Sequence, residues 1–386
     1  MSRSDRPGVL PVPPFRAAPE SARRLLTTQL AALTLPAVAG IAFFGRRAAV
    51  LLAASALTAA LAELLCSRAR QVRVPGSLPH SVMMGVLVAF MLPPTCPWFL
   101  AAVGAAAAVV LGKQFFGGLG HYVWHPALVG RLILELLSPG LDGQATGPIL
   151  ERGRLFWGDC LRHAGPVASW LRTNWFVDSP PGRDDAWLLP VPAEALRELH
   201  GLQFTDGVPL LGDYLWRRLP SLPHLLWGAV PGGVGETCTA ALILVGLYFM
   251  YRGYVRWQLP LALVGGAYAA ALVLPVVALP GQDGGPLLVF APAADRAAAL
   301  TYVHYHIFTG GLLLAAMVLA ADMTPRPMSP AGQLIFGAGA GVLTIVLRLY
   351  TPLALPCYVA LLVMNTLTAP LDAWLRRRGR SPGPPR

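Results

Sequence analysis

The sequence predicts an all-α integral membrane protein. About ten transmembrane helices are expected as an inverted five-plus-five repeat, with an extracytoplasmic cap between the halves. Three observations carry this expectation. The 386 residues are 55% hydrophobic and 13% charged, with a mean hydropathy of +0.56, whereas soluble domains hold about 25% charged residues. Ten apolar runs can be drawn along the chain. Many of the 30 basic residues flank those runs, with a strong asymmetry between the two sides.

The organisation follows in order. Residues 1–24 form a Pro- and Arg-rich tail without a cleavable signal pattern. The first membrane half, 25–138, holds the runs Leu25–Phe44, Ala48–Cys66, Ser81–Leu92, Trp98–Leu111 and Pro126–Leu137. A polar interval, 139–231, follows. It carries many prolines, 10 of the 19 acidic residues, and Trp157, Trp170, Trp175, Trp187 and Trp216 as packing anchors for an ordered cap. The second half, 232–372, holds Glu236–Tyr251, Leu259–Leu279, Tyr302–Ala321, Gln333–Leu349 and Pro352–Leu371, and a basic tail spans 373–386. Several runs fall short of the roughly 20 residues of a full span. Short, Gly/Pro-interrupted segments in corresponding places of two halves are how transporters build midplane sites.

Orientation rests on arginine asymmetry. With the N-terminus inside, Arg68, Arg70, Arg73, Lys113, Arg252, Arg256, Arg326 and Arg376–Arg380 fall on the cytoplasmic side, while short outer loops keep only Arg46, Arg47 and Arg296. Both termini are therefore expected in the cytoplasm and the 139–231 interval outside. Five spans per half make the second half enter from the opposite side. Gly85-Val-Leu-Val-Ala-Phe-Met91 and Gly311-Leu-Leu-Leu-Ala-Ala-Met317 match at alternate positions, as an internal repeat would. The net charge of +11 is topological, because no basic–aromatic interleaving of the single-strand-binding kind exists. Nucleic acid is not an expected partner; the bilayer is. Five scattered cysteines without a CxxC spacing give no iron–sulfur or zinc site, and no metal is expected.

The densest signal is Lys113-Gln-Phe-Phe-Gly-Gly-Leu-Gly-His-Tyr-Val-Trp-His-Pro-Ala-Leu-Val-Gly-Arg131. Irregular backbone at a membrane boundary is tolerated only where protein or a watery cavity covers it. Gly117, Gly118 and Gly120 permit positive φ and close approach of a ligand or helix, and Pro126 suits a first helical turn. A tight helix–helix connection explains the same composition.

This string resembles the "GGxGxNxFNPAxxGR" segment of the family that contains the D subunit of the Rnf complex and the B subunit of the sodium-translocating NADH:quinone oxidoreductase. His125 stands where that family usually has Asn. Further pieces resemble the family: Pro75–Pro79 through Leu92-Pro-Pro94, Pro231-Gly-Gly-Val-Gly-Glu-Thr237, His306 through Pro330, Gly337-Ala-Gly-Ala-Gly341 with Arg348, and Val363-Met-Asn365 with Pro370 and Asp372. The resemblance implies a membrane subunit of a flavin-using electron-transfer complex that moves Na+ or H+. It implies urea-channel-like halves, and other membrane and redox subunits as partners. It also implies a non-covalent riboflavin or FMN, for which Lys113, Gly117, Gly118, Gly120, His125, Gly235 and Glu236 are the candidate contacts. The family's second flavin is an FMN esterified to Thr in "SGATPL". Here Gly207-Val-Pro-Leu210 aligns best, so Val208 replaces the modified Thr and covalent FMN is not expected. Thr146 and Thr205 are the fallback positions.

Ionisable groups at a helix centre cost about 2.5–3.5 kcal/mol, so each is a functional candidate. Asp322 is the first candidate for ion coupling, with Glu63 and Arg348 beside it; capping, or snorkelling near Arg68, are the structural alternatives. Glu135 and Arg131, four apart, read as a helical pair. A bis-histidine haem at His121/His125 or His304/His306 is disfavoured. No catalytic residue is assigned, because the chain reads as a translocase subunit. Two rival functions stay open: a stand-alone transporter or channel without flavin, and a structural anchor for redox subunits.

Overall fold

The computed structural model describes residues 21–71, 74–94, 96–137, 196, 222–228, 230, 232–280, 286–290, 296–351, 353 and 355–378. Most of the 139–231 interval, including Thr146, Thr205 and Val208, lies outside the described residues, as do 1–20 and 379–386.

The described chain is predominantly helical. Its helices are α1 (Ala22–Ala32), α2 (Thr34–Phe44), α3 (Arg46–Arg70), α4 (Ser77–Phe90), α5 (Trp98–Ala107, extended by a π-helical turn over Ala108–Gln114) and α6 (Pro126–Leu137). They continue with α7 (Leu222–Trp227), α8 (Thr239–Tyr251), α9 (Gln258–Val273), α10 (Arg296–Phe308), α11 (Leu312–Leu314, running into a π-helical turn over Ala315–Leu319), α12 (Pro330–Tyr350) and α13 (Pro356–Arg378). Helix is present in each of the ten apolar runs. By length and hydropathy, four helical stretches among the described residues can cross a membrane: Ala22–Phe44, Arg46–Arg70, Pro330–Tyr350 and Pro356–Arg377. A fifth forms if the bent pair α10–α11 is one span.

Two apolar runs behave differently from the expectation. The run Leu259–Leu279 is helical only as far as Val273. Pro275 lacks an N–H and disfavours helical geometry in the residue before it. The chain turns there into strand β1 (Pro275–Pro280), which pairs antiparallel with β2 (Pro286–Phe290). The run Tyr302–Ala321 breaks by 59° between α10 and α11, where Gly310 and Gly311 both adopt positive φ.

Packing follows the sequence closely. α12 carries the Gly337–Gly341 stretch, and a Cβ on Gly341 would run into the backbone of Leu263 and Ala267 on α9. Small residues there let two backbones approach, which is how apolar helices associate without a hydrophobic drive between them. α12 starts cleanly: Ser329 accepts from the Gly332 N–H at 3.0 Å and Pro330 occupies the first turn. The outward faces are apolar. Leu57, Leu61 and Leu65 of α3 are 56–70% exposed while Glu63 on the same helix is buried. That polarity is inverted relative to a water-soluble helix and suits a lipid solvent.

The end of α4 meets the Gly232–Thr237 stretch. The N–H of Val234 donates to the Leu92 carbonyl at 3.0 Å, and that of Gly235 to the Phe90 carbonyl at 3.1 Å. These bonds satisfy carbonyls that the stop of α4 leaves without helical partners.

Candidate functional site

Among the described residues, three polar clusters lie buried or half-buried between the helices and the loops that join them. The first forms where α3, α4 and the π-turn after α5 meet. The π-turn inserts an extra residue into the last helical turn, and both Lys113 and Gln114 are buried in it. The Lys113 ammonium bonds Glu63 Oε2 at 3.1 Å, the Ser77 carbonyl and Oγ at 2.9 Å each, and Ser81 Oγ at 2.7 Å. Glu63 accepts from Ser77, from Ser81 at 2.7 Å and from the Gln114 amide at 2.7 Å. Arg70 reaches the Gln114 carbonyl from the end of α3. Every polar member is satisfied, which is the condition for a buried ion pair to hold.

The second cluster joins the two parts of the chain. Asp322, just past the π-turn after α11, receives the Tyr122 hydroxyl at 2.8 Å. Tyr122 comes from the loop that follows the glycine string. Its oxygen also lies 2.9 Å from His80 Nε2. The phenol has one proton and gives it to Asp322, so His80 Nε2 carries the hydrogen and donates to the Tyr122 oxygen. His80 and His125 place Nε2 at 3.9 and 3.8 Å from Asp322 Oδ2. His125 is 1% exposed, and neither of its nitrogens has a hydrogen-bond partner among the described residues. Burial pushes the His125 imidazole down to about 4, against which the nearby Asp322 charge acts. Burial alone would raise Asp322, but the surrounding imidazoles and the Tyr122 hydroxyl outweigh it and hold the carboxyl well below the usual range. The cluster thus holds an ionised carboxylate where two buried imidazoles and a phenol hydroxyl meet.

The third cluster surrounds the break between α10 and α11. The Tyr358 hydroxyl donates to Glu236 Oε1, with Arg131 and Arg348 close enough to act on that carboxyl electrostatically. Arg348, 2% exposed, donates to the His306 carbonyl at 2.7 Å and the Thr309 carbonyl at 3.2 Å. It thereby caps the carbonyls that the end of α10 leaves open. A Cβ at Gly311 would strike Tyr358, and one at Gly235 would strike the Phe90 ring.

The residues read from the sequence separate accordingly. Glu63 pairs with Lys113 rather than with Arg68. Lys113, read as a flavin contact, has its ammonium taken up by Glu63 and the two serines. His125 stands at Asp322. Gly235 is packed on Phe90, and Glu236 is committed to Tyr358. Arg348, read as an ion-coupling candidate, donates to the backbone carbonyls of His306 and Thr309. Arg131 and Glu135 form the helical pair, at 2.9 Å. Gly117, Gly118 and Gly120 all hold positive φ. The backbone beside Gly120 is open, with nothing within 4 Å of an added Cβ, and exposed Phe115 flanks the string, edge-on to Phe116, which in turn meets Trp124. The sequence reading passed over His80, Tyr122, Ser77, Ser81 and Tyr358. A signal for three of them was present: Ser77, His80 and Ser81 are spaced i, i+3, i+4 on an apolar helix and share one face.

Helices with leucine-rich exposed faces that enclose buried and half-buried ionic clusters define a polytopic helical membrane protein with its charge held at segment junctions. A family profile described as "NQR2, RnfD, RnfE family" matches residues 9–380, and the chain belongs to that family. It is 27% identical over 353 residues to the D subunit of the proton-translocating ferredoxin:NAD(+) oxidoreductase complex of Clostridium ljungdahlii, covering 92% of this chain and 90% of that one. It is 29% identical over 370 residues, covering 95% and 93%, to the D subunit of the ion-translocating oxidoreductase complex of Halorhodospira halophila. A third relative is the D subunit of the Na(+)-translocating ferredoxin:NAD(+) oxidoreductase complex of Acetobacterium woodii, 26% identical over 368 residues with 95% and 92% covered.

Proposed function

We propose that this chain is the membrane subunit of an Rnf-like complex that couples electron flow to H+ or Na+ movement across a bacterial inner membrane, working beside redox and membrane subunits. The observation that carries the reading is the Asp322 cluster. A buried carboxylate is held by Tyr122 and faced by His80 and His125, at a junction of loops from both parts of the chain. A two-loop junction of this kind responds to relative movement of the elements that bear the loops, which is what coupling requires.

The glycine string fits a flavin. Gly117, Gly118 and Gly120 present bare backbone, and Phe115, Phe116 and Trp124 offer aromatic faces around it. A bound riboflavin or FMN supplies one- and two-electron chemistry that the protein's own side chains lack. The chain's part is to hold the ring system at the loop and to keep Asp322 and His125 away from bulk water. Val208 in place of the family's Thr leaves no hydroxyl for an ester at that position.

The topology that goes with this reading has both termini cytoplasmic and ten helical segments in two inverted sets. Its support is the arginine asymmetry. Arg70 closes on the Gln114 carbonyl and Arg326 on the carbonyls of Tyr254 and Ala321, so both keep to the ends of segments, where cationic side chains belong in a membrane protein.

The deciding experiment is a flavin absorbance and fluorescence scan of the protein purified in mild detergent, with co-purifying subunits identified. Non-covalent flavin, reduced on the addition of an electron donor, supports the reading. A flavin-free chain that is purified alone supports a stand-alone transporter or channel instead. Gly118→Val is expected to abolish bound flavin while membrane insertion persists.

A further inference from the structure

We propose that Glu63, Ser77 and Ser81 form a monovalent-cation cradle that Lys113 fills with its own ammonium, a tethered cation standing where a free one would bind. Lys113 is the one lysine of the chain, and its side chain is completely buried. Four oxygens surround its Nζ at 2.7–3.1 Å: the Ser77 carbonyl, the Ser77 and Ser81 hydroxyls and one Glu63 oxygen. An ammonium has three protons, so four oxygens exceed what hydrogen-bond counting needs. They form an oxygen shell of the kind hard cations take. The hydroxyl orientation says the same. Ser77 and Ser81 donate their protons to Glu63, which turns their lone pairs toward Nζ. Gln114 adds a second lock on Glu63 Oε2, and the π-turn brings Lys113 and Gln114 inward together. Asp322 and Cys66 are the other groups acting on Lys113 electrostatically. A potassium ion has nearly the size of an ammonium and would fit the same shell; a sodium ion would draw it in.

The consequence deepens the ion-coupling reading and rests on it only here: the Glu63 cluster cannot exchange a free cation, so exchange falls to Asp322. The cradle itself can be tested without electron transfer or flavin. The full-length chain and Lys113→Ala would be purified in mild detergent. Thermal unfolding would be compared in NaCl, KCl and choline chloride at equal ionic strength. In the parent, no salt is expected to raise the unfolding temperature in a way that Glu63→Gln removes, because Lys113 already fills the cradle. Lys113→Ala should be strongly destabilised in choline and recover by several degrees, saturably, in Na+ or K+. Adding Glu63→Gln should abolish that recovery. Equal destabilisation of Lys113→Ala in all three salts would overturn the proposal. So would a parent whose own stability rises selectively with an alkali cation in a Glu63-dependent way. If Lys113→Ala is recovered in no salt while the neutral pair Lys113→Met/Glu63→Gln folds, the lysine is only a salt-bridge partner and the proposal falls. Loss of flavin or of subunit association would leave these outcomes unchanged, so the two readings fail separately.

Discussion

The Glu63–Lys113 and Asp322–His125 clusters share an environment and differ in satisfaction. In the first, the ammonium meets four oxygens and the carboxylate is bonded by two hydroxyls, an amide and the ammonium. In the second, the carboxylate has one close hydroxyl, two imidazoles stand almost 4 Å away, and His125 has open nitrogens. A closed network is rigid because breaking any member strands a buried charge. An incompletely filled one keeps room for a proton or ion to arrive. Under the proposed ion-coupling reading, the difference separates a structural charge pair from an exchange site, although in the sequence both look like lone carboxylates in or beside apolar runs.

The comparison can be broken most forcefully at Glu63. Glu63→Ala strands the Lys113 ammonium in a buried site, and breaking a buried pair costs about 3–5 kcal/mol. Thermal unfolding in detergent should show a larger loss than for any substitution at the Asp322 cluster. A mild effect would mean water reaches the pair and that the two clusters are not different in kind.

The next effect is a pH dependence. His125 titrates at about 4 in the fold against an ordinary 6.5. A depressed imidazole contributes stability above 6.5 that is lost as pH falls through 6.5 toward 4, on the order of 2–3 kcal/mol by the end of that window. Asp322, held below the usual carboxylate range, titrates outside it. The unfolding temperature of the parent should fall between pH 6.5 and 4, and His125→Asn should flatten that segment. A slope unchanged by the substitution would assign it to another histidine.

Tyr122→Phe is a smaller perturbation. It removes the hydroxyl that donates to Asp322 and costs about 1.5 kcal/mol, the lower end for a hydrogen bond to a charged group. Ion dependence of activity in membranes should change more than stability, because the variant leaves the Glu63 cluster intact. Equal loss in both would place Tyr122 among the structural groups. The smallest expected signal is covalent flavin. In-gel fluorescence of the denatured chain should show none, even with a flavin transferase co-expressed, because valine at 208 has no hydroxyl. A band mapped to Thr146 or Thr205 would move the aligned position and restore the second flavin.

Much of the fold was legible. Runs of leucine, alanine and valine bounded by arginine become helices because hydrocarbon leaves backbone groups no other partners, and the glycine string became the loop its residues allow. The Arg131–Glu135 pair was legible because helical spacing alone brings it together. The breaks were less so. Pro275 and Gly310-Gly311 were visible, but an apolar run on both sides concealed a hairpin in one case and a 59° bend in the other.

The site divides along the same line. The amino-acid sequence by itself determined which residues were costly to bury: Glu63, Lys113, Glu236, Asp322 and Arg348 stand out against hydrocarbon wherever the chain places them. It also determined the family, through motifs spread over most of its length. Only the tertiary structure decided the partners. Lys113 lies 50 positions from Glu63, and Tyr122 lies 200 from Asp322. A charge at such a distance finds its counter-charge through the packing of helices that the local pattern does not order. Residue types state the electrostatic demand, and three-dimensional arrangement selects which of several equivalent groups meets it.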